Sequence, residues 1–204
     1  MDHENMLCNQ IEEHTLLFAK IKDFRNEIIC SAKVIAAVLH KGNKVLICGN
    51  GGSAADSQHF AAELIGRFEK ERESLPAIAL TADASILTAV GNDYGFDAIF
   101  ERQVKGLGQK GDVLIGVSTS GNSANVVRAV SQARAMGLHT IGLLGKDGGE
   151  IRPIVHIPVV VPHAVTARVQ EVHRFILHCW VSMIESELFL KGDTRLEEER
   201  RLER

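Results

Sequence analysis

The sequence predicts an α/β protein: a five-stranded, mostly parallel sheet with helices on both faces, two N-terminal helices and a long C-terminal helix. Two observations predict it. Short apolar runs alternate with longer helical patterns along the chain. Two of those runs end in Gly- or Ser-rich turns that open directly onto a helix start, the layout of a parallel sheet with crossover helices.

The elements follow in order. Residues 3–41 hold two helical patterns, one carried by Leu7, Ile11, Phe18 and Ile21, the other by Ile28, Ile29, Ala32, Ile35, Ala36 and Leu39. Lys41-Gly42-Asn43 stops them, and a first strand is expected at 44–48. Gly49, Gly51 and Gly52 turn the chain, and Ser53 is the expected N-cap of a helix over 53–65. After a charged loop, Glu69 to Glu73, a second strand spans 77–80. Asp83 then caps a helix to Val90, which Gly91-Asn-Asp-Tyr-Gly95 is expected to break before another helix to about Leu107. A third strand (112–117) runs into Ser118-Thr-Ser-Gly-Asn-Ser123 and a helix over 124–136 closed by Gly137. Strands over 139–144 and 155–161 complete the sheet. Pro158, which cannot donate to a ladder, marks the last as an edge. A helix from about Ala167 to Leu190 ends the domain, 1–192, and a tail (193–204) rich in both charge signs follows it.

Composition narrows the function classes. The net charge of -3 offers no basic field for nucleic acid. No apolar run approaches the ~20 residues that span a bilayer. Asp2, Glu4, Glu12 and Glu13 sit in a helical pattern rather than a signal peptide. The four cysteines lack CxxC spacing and read as reduced thiols. A cytoplasmic location is expected.

Two turns carry the chemistry. A glycine-rich turn between strand and helix brings backbone N–H groups and the positive helix end close to an anion. The turn at Gly49, Gly51, Gly52 and Ser53 has this form. On the helix after it, His59 and Glu63 are four residues apart and share a face, able to bind metal or move protons. The second turn crowds Ser118, Thr119, Ser120 and Ser123 into six positions, a hydroxyl density suited to phosphate oxygens. Gly49-x-Gly51-x-x-Ala54 has the outline of a dinucleotide fingerprint, but the acidic residue expected about 20 positions on would fall in a surface loop. No P-loop motif is present.

Taken together, Gly49-Asn-Gly-Gly-Ser53, Ser118-Thr-Ser-Gly-Asn-Ser123 and Arg168-Val-Gln-Glu171 resemble the sugar isomerase (SIS) domain family, nearest the bacterial sedoheptulose-7-phosphate isomerases, over about residues 5–190. The resemblance implies a flavodoxin-like sheet and conversion of sedoheptulose 7-phosphate into D-glycero-D-manno-heptose 7-phosphate for the lipopolysaccharide core. It implies phosphate contacts from Ser118, Thr119, Ser120 and Ser123, with Ser53 adding one from the first turn. Asn50, Gly51 and Gly52 would line the substrate, Asn92 and Asp93 would lie near the sugar, and Arg67 follows as in the family. Glu63 and His178 are implied as the catalytic pair, and His59, Glu63, Gln170 and His178 as ligands of a zinc ion. A homotetramer is also implied. One position departs: an aspartate before Arg168 in the relatives is Ala167 here.

The chemistry suits these groups. Ketose–aldose isomerisation needs one group to take a carbon-bound proton and another to manage oxygen protons. A glutamate and a histidine can divide that work. The alternative is a non-catalytic SIS protein that binds the replication initiator or senses sugar phosphates, but such a module has no chemical reason to keep Glu63 and His178. His173, Cys48 and Cys179 read as packing or surface groups. Finally, Gln170 and His178 are eight residues apart, which on a straight helix places them ~12 Å apart along the axis. Either that helix is irregular or site residues come from another copy of the chain.

Overall fold

The computed structural model describes residues 2–190; the charged tail expected at 193–204 lies outside the described residues. The element order is α1 (His3–Ala19), a 3-10 segment (Lys20–Phe24), α2 (Arg25–His40), β1 (Val45–Gly49), α3 (Gly52–Ile65), β2 (Ala77–Ala79), α4 (Ala84–Tyr94) and α5 (Ile99–Leu107). Then come β3 (Val113–Ser118), α6 (Ala124–Ala135), β4 (His139–Gly145), β5 (Ile157–Val161), α7 (Thr166–Glu185) and a π-helical turn (Ser186–Leu190). The five strands run in the order β2-β1-β3-β4-β5, and every pair is parallel. β5 is an edge, as Pro158 predicts; β2, the other edge, is only three residues long.

Alternate strand residues feed two cores, because successive side chains point to opposite faces. Val45, Ile47, Val113, Ile115 and Val117 pack with α2, α3 and α7. Leu46, Cys48 and Leu114 pack with α5 and α6. Trp180 ties α7 to α2 by donating its indole N–H to the Ile28 carbonyl at 3.0 Å. The buried Phe60 meets its ring edge-on at 6.2 Å.

Four local expectations are corrected. The cap of α3 is Gly51 rather than Ser53: its φ of 55° is a conformation that glycine adopts without penalty, and Ser53 becomes a buried first-turn residue. Helix α4 runs through Gly91 to Tyr94, so the break falls at Gly95, whose φ of 83° suits only the last glycine of that stretch. The terminal helix gives way to the π-helical turn at Ser186 instead of continuing to Leu190. On α1 the buried residue is Leu17, while Leu7 and Ile11 of the expected stripe face outward, each more than half exposed.

Candidate active site

Strand β1 connects to β2 on one side, and the chain then returns past β1 to lay down β3, β4 and β5 on the other. The switch point is thus the crevice at the C-terminal ends of β1 and β3, where open α/β sheets bind ligands. Both predicted turns open there. In the first, Ser53 N–H donates to the Asn50 carbonyl at 3.0 Å. A side chain on Gly49 would lie 2.9 Å from the Val117 carbonyl, so β1 and β3 approach closely only because that position is bare.

In the second turn the hydroxyls converge. Ser118 Oγ lies 3.0 Å from Ser123 Oγ and 3.4 Å from Ser120 Oγ, and it accepts the Gly121 N–H at 3.1 Å. Ser120 Oγ accepts from the Asn122 N–H at 3.1 Å. Ser123 is the N-cap residue of α6, so the hydroxyls gather at the positive end of that helix. The loop after β4 closes over the turn: the Thr119 carbonyl abuts Gly145, and Gly121 (φ 71°) rests on the Gly148 carbonyl.

One residue here escaped the sequence reading. Asn125, 2% exposed in the first turn of α6, exchanges two 2.9 Å hydrogen bonds with Asn50. The reciprocal amides lock the two phosphate-friendly turns together. The available signal was a poor helix former just inside a helix start.

A second cluster lies further along α3. Helices α3 and α7 run side by side, so Gly52 meets Gln170 near their N-termini and His59 meets His178 about two turns on. His59 Nε2 is 2.8 Å from His178 Nε2 and 3.5 Å from Glu63 Oε1. One imidazole donates to the other, and the tautomers decide which. Phe68 stacks on His178 with ring centroids 5.6 Å apart and planes 27° apart. The predicted trio His59, Glu63 and His178 is therefore assembled within one chain.

Other predicted residues stand apart. Helix α7 is unbroken from Thr166 to Glu185, so Gln170 sits ~12 Å along the axis from His178 and does not join the trio. It lines instead a cleft of about 510 Å³ with Gly52, Ala55, Asp56, Ala167, Glu171 and Arg174. Arg174 donates to Asp56 there at 2.9 Å. Arg67 is exposed and pairs with Glu71 at 3.5 Å. Asn92 donates to Asp93 at 2.8 Å on the exposed end of α4.

The residues set aside as packing groups behave so electrostatically. Burial pushes the Cys48 thiol up to about 12, leaving it unreactive. Burial likewise drives His173 from 6.5 down to about 4, against an opposing pull from the Leu144 backbone, although neither ring nitrogen makes a hydrogen bond of good geometry.

The SIS domain model matches residues 11–145. A phosphoheptose isomerase of a Nitratiruptor species is 54% identical over 177 residues, covering 86% of this chain and 95% of the relative. The chain belongs to the SIS domain family. This SIS domain is also 55% identical over 174 residues to the phosphoheptose isomerase of Geobacter sulfurreducens, covering 85% and 92% of the two chains. Its fold superposes on phosphoheptose isomerase GmhA from Neisseria gonorrhoeae with a TM-score of 0.85 at 43% identity, covering 90% of this chain and 98% of that chain. The phosphoheptose isomerase from Francisella tularensis gives 0.88 at 37% identity, covering 91% and 100%.

Proposed function

We infer that the chain is a phosphoheptose isomerase, converting sedoheptulose 7-phosphate into D-glycero-D-manno-heptose 7-phosphate through an enediol. The observation that carries this reading is the joint presence of the Ser118–Ser123 hydroxyl cluster and the His59–Glu63–His178 trio in a chain about half identical to phosphoheptose isomerases along most of its length. The cradle takes the phosphate. Glu63 removes the proton from C1 of the ketose, the freed electron pair forms the C1–C2 double bond, and His178 protonates O2. Returning a proton to C2 while O1 gives its proton up leaves the aldehyde at C1. A non-catalytic SIS module would have no use for the trio.

Assembly follows from distance. Along α3, Glu63 lies eleven residues, ~16 Å, beyond Gly52. The eight bonds between C1 of the ketose, where Glu63 acts, and its phosphorus reach only about 10 Å when extended. The reading therefore sets the cradle of one chain toward the trio of another, so that one substrate spans both. The reading is a homo-oligomer, a tetramer by analogy with the family resemblance, in which each site joins the cradle and Gln170 of one copy to Glu63 and His178 of another. Exposed Met6, Leu7, Ile11 and Leu16 on α1, with Phe175 and Met183 on α7, offer the apolar surface for it.

Zinc is part of the proposal. Two ligands of a tetrahedral zinc ion sit about 3.3 Å apart. The 2.8 Å and 3.5 Å separations around His59 bracket that spacing, so the donor chemistry fits, although among the described residues no three-ligand nest of His, Cys, Asp or Glu is formed. His59, Glu63 and His178 would hold the ion, with Gln170 of another copy as the fourth ligand. When bound it would polarise the substrate carbonyl and weaken Glu63 as a base. No described helix is long and apolar enough to cross a membrane. Action in the cytoplasm, on the route to lipopolysaccharide heptose, belongs to the same proposal, and the four free cysteines support it.

The test is turnover of sedoheptulose 7-phosphate by purified protein before and after chelation. Turnover that survives chelation leaves Glu63 as a free base; loss that zinc restores assigns the metal. Absence of turnover under both conditions overturns the activity.

A further inference from the structure

Glu185 occupies an unfavourable place. It is the last residue of α7 before the π-helical turn, and it is only 1% exposed, so its charge is costly to desolvate. Its partners are four donors from one loop. Its two carboxylate oxygens accept from the N–H groups of Phe68 (3.1 Å), Glu69 (3.1 Å) and Lys70 (3.2 Å) and from Arg72 Nε (2.8 Å). Burial alone would raise its carboxyl, but these donors outweigh it and hold the group below the usual carboxylate range.

Arg72 is equally occupied. Its side chain is 1% exposed. Nη2 donates to the carbonyl of Glu63 at 2.7 Å, and Nη1 donates to the carbonyls of Leu64 and Glu73, each at 2.9 Å. These include two of the last carbonyls of α3, which have no partner within the helix. The same loop presents Phe68, whose ring lies against His178.

We propose that Glu185 and Arg72 form a clamp that positions the catalytic pair: Arg72 fixes the backbone of Glu63, and the loop held by Glu185 presses Phe68 onto His178. The proposal rests on Glu63 and His178 being the residues that move the protons. Glu185, Arg72 and Phe68 all act as positioning residues. The clamp ends on both members of the pair, α3 for the base and α7 for the imidazole, so it fixes their mutual distance more than either alone. A buried ion pair made only for stability would be replaceable by packed apolar groups. This one is spent on the carbonyl of the catalytic glutamate and on the loop beneath the catalytic histidine.

The experiment compares Phe68→Leu, Phe68→Tyr, Arg72→Lys and Glu185→Gln with Glu63→Gln, measuring kcat, KM, far-UV circular dichroism and thermal melting. Groups that orient an active residue typically cost 10–100-fold in activity when removed. The expected result is a fall of that size in kcat for Phe68→Leu and Arg72→Lys with KM within about twofold, and near-complete rescue in Phe68→Tyr, which keeps the stacked ring. Phe68 is only partly buried, so its variants test the idea even where Glu185→Gln fails to fold. Unchanged kcat in folded Phe68→Leu and Arg72→Lys, beside an inactive Glu63→Gln, overturns the clamp and leaves the catalytic assignment standing. A rise in KM without a fall in kcat overturns it too. An active Glu63→Gln removes the assignment on which the clamp depends.

Discussion

Glu63 and His178 meet across His59, and each is replaceable by glutamine with little change in volume. Glu63→Gln and His178→Gln are expected to lower kcat by ~10²–10⁴-fold, the usual cost of losing a general acid or base, while circular dichroism stays unchanged. Near-normal turnover in both would move the chemistry elsewhere. His173 gives a separate prediction, in stability. Unfolded, its imidazole titrates near 6.5; folded, only near 4. Above pH 6.5 both states are neutral and nothing is lost. As the pH falls from 6.5 to 4 the unfolded chain takes up a proton that the folded chain refuses, and stability drops by roughly 3 kcal/mol. In urea titrations His173→Leu should lose about 2 kcal/mol less than the parent between pH 7 and pH 4.5; equal losses would show that His173 finds a proton acceptor in the fold. These residues also mark what the sequence could reveal. Ser118, Ser120, Ser123, His59 and Glu63 were legible because their spacing alone places them at a strand end or on one helix face. Asn125 was not, because its role is a bond to Asn50, 75 positions away, and no local pattern encodes a distant partner. The nearness of His59 and His178, 119 positions apart, came only from the family resemblance and from no spacing of their own.

At the level of elements, the strands and helices were legible from period and punctuation, and the errors fell where backbone conformation outweighs composition. Gly51 took the cap from Ser53 because the turn needs a positive φ. Gly91 stayed helical because Gly95 alone provides the break. The same conformational demand makes Gly121 a sharp test. At φ 71° an L-residue costs ~1–2 kcal/mol, and here its Cβ would also strike the Gly148 carbonyl. Gly121→Ala should therefore lower the melting temperature and raise KM through a displaced hydroxyl turn. Unchanged values for both would mean that the 118–123 and 145–149 loops move independently.

For the whole molecule, the division between cradle and trio predicts a complementation pattern. Mixing subunits of Glu63→Gln with subunits of His178→Gln should restore nothing, because the two residues share a chain. Mixing Glu63→Gln with Ser120→Ala/Ser123→Ala should restore activity, since one mixed site then joins an intact cradle to an intact trio. Restoration in neither mixture would place both halves of the site in one chain, restoration in the first mixture alone would divide Glu63 from His178, and a monomer active on sizing would end the shared-site idea. Chain-to-chain geometry of this kind was legible only as a distance that one helix could not close.

The two ends of the sheet have a consequence of their own. β2 offers three residues and β5 carries Pro158, so neither border presents a long, regular row of free backbone groups to another strand. Strand-to-strand templating, the first step toward fibrils, is therefore blunted at both borders even at high concentration. Copies of this chain that associate are left to do so through helices, and a closed symmetry between those helices fixes the stoichiometry.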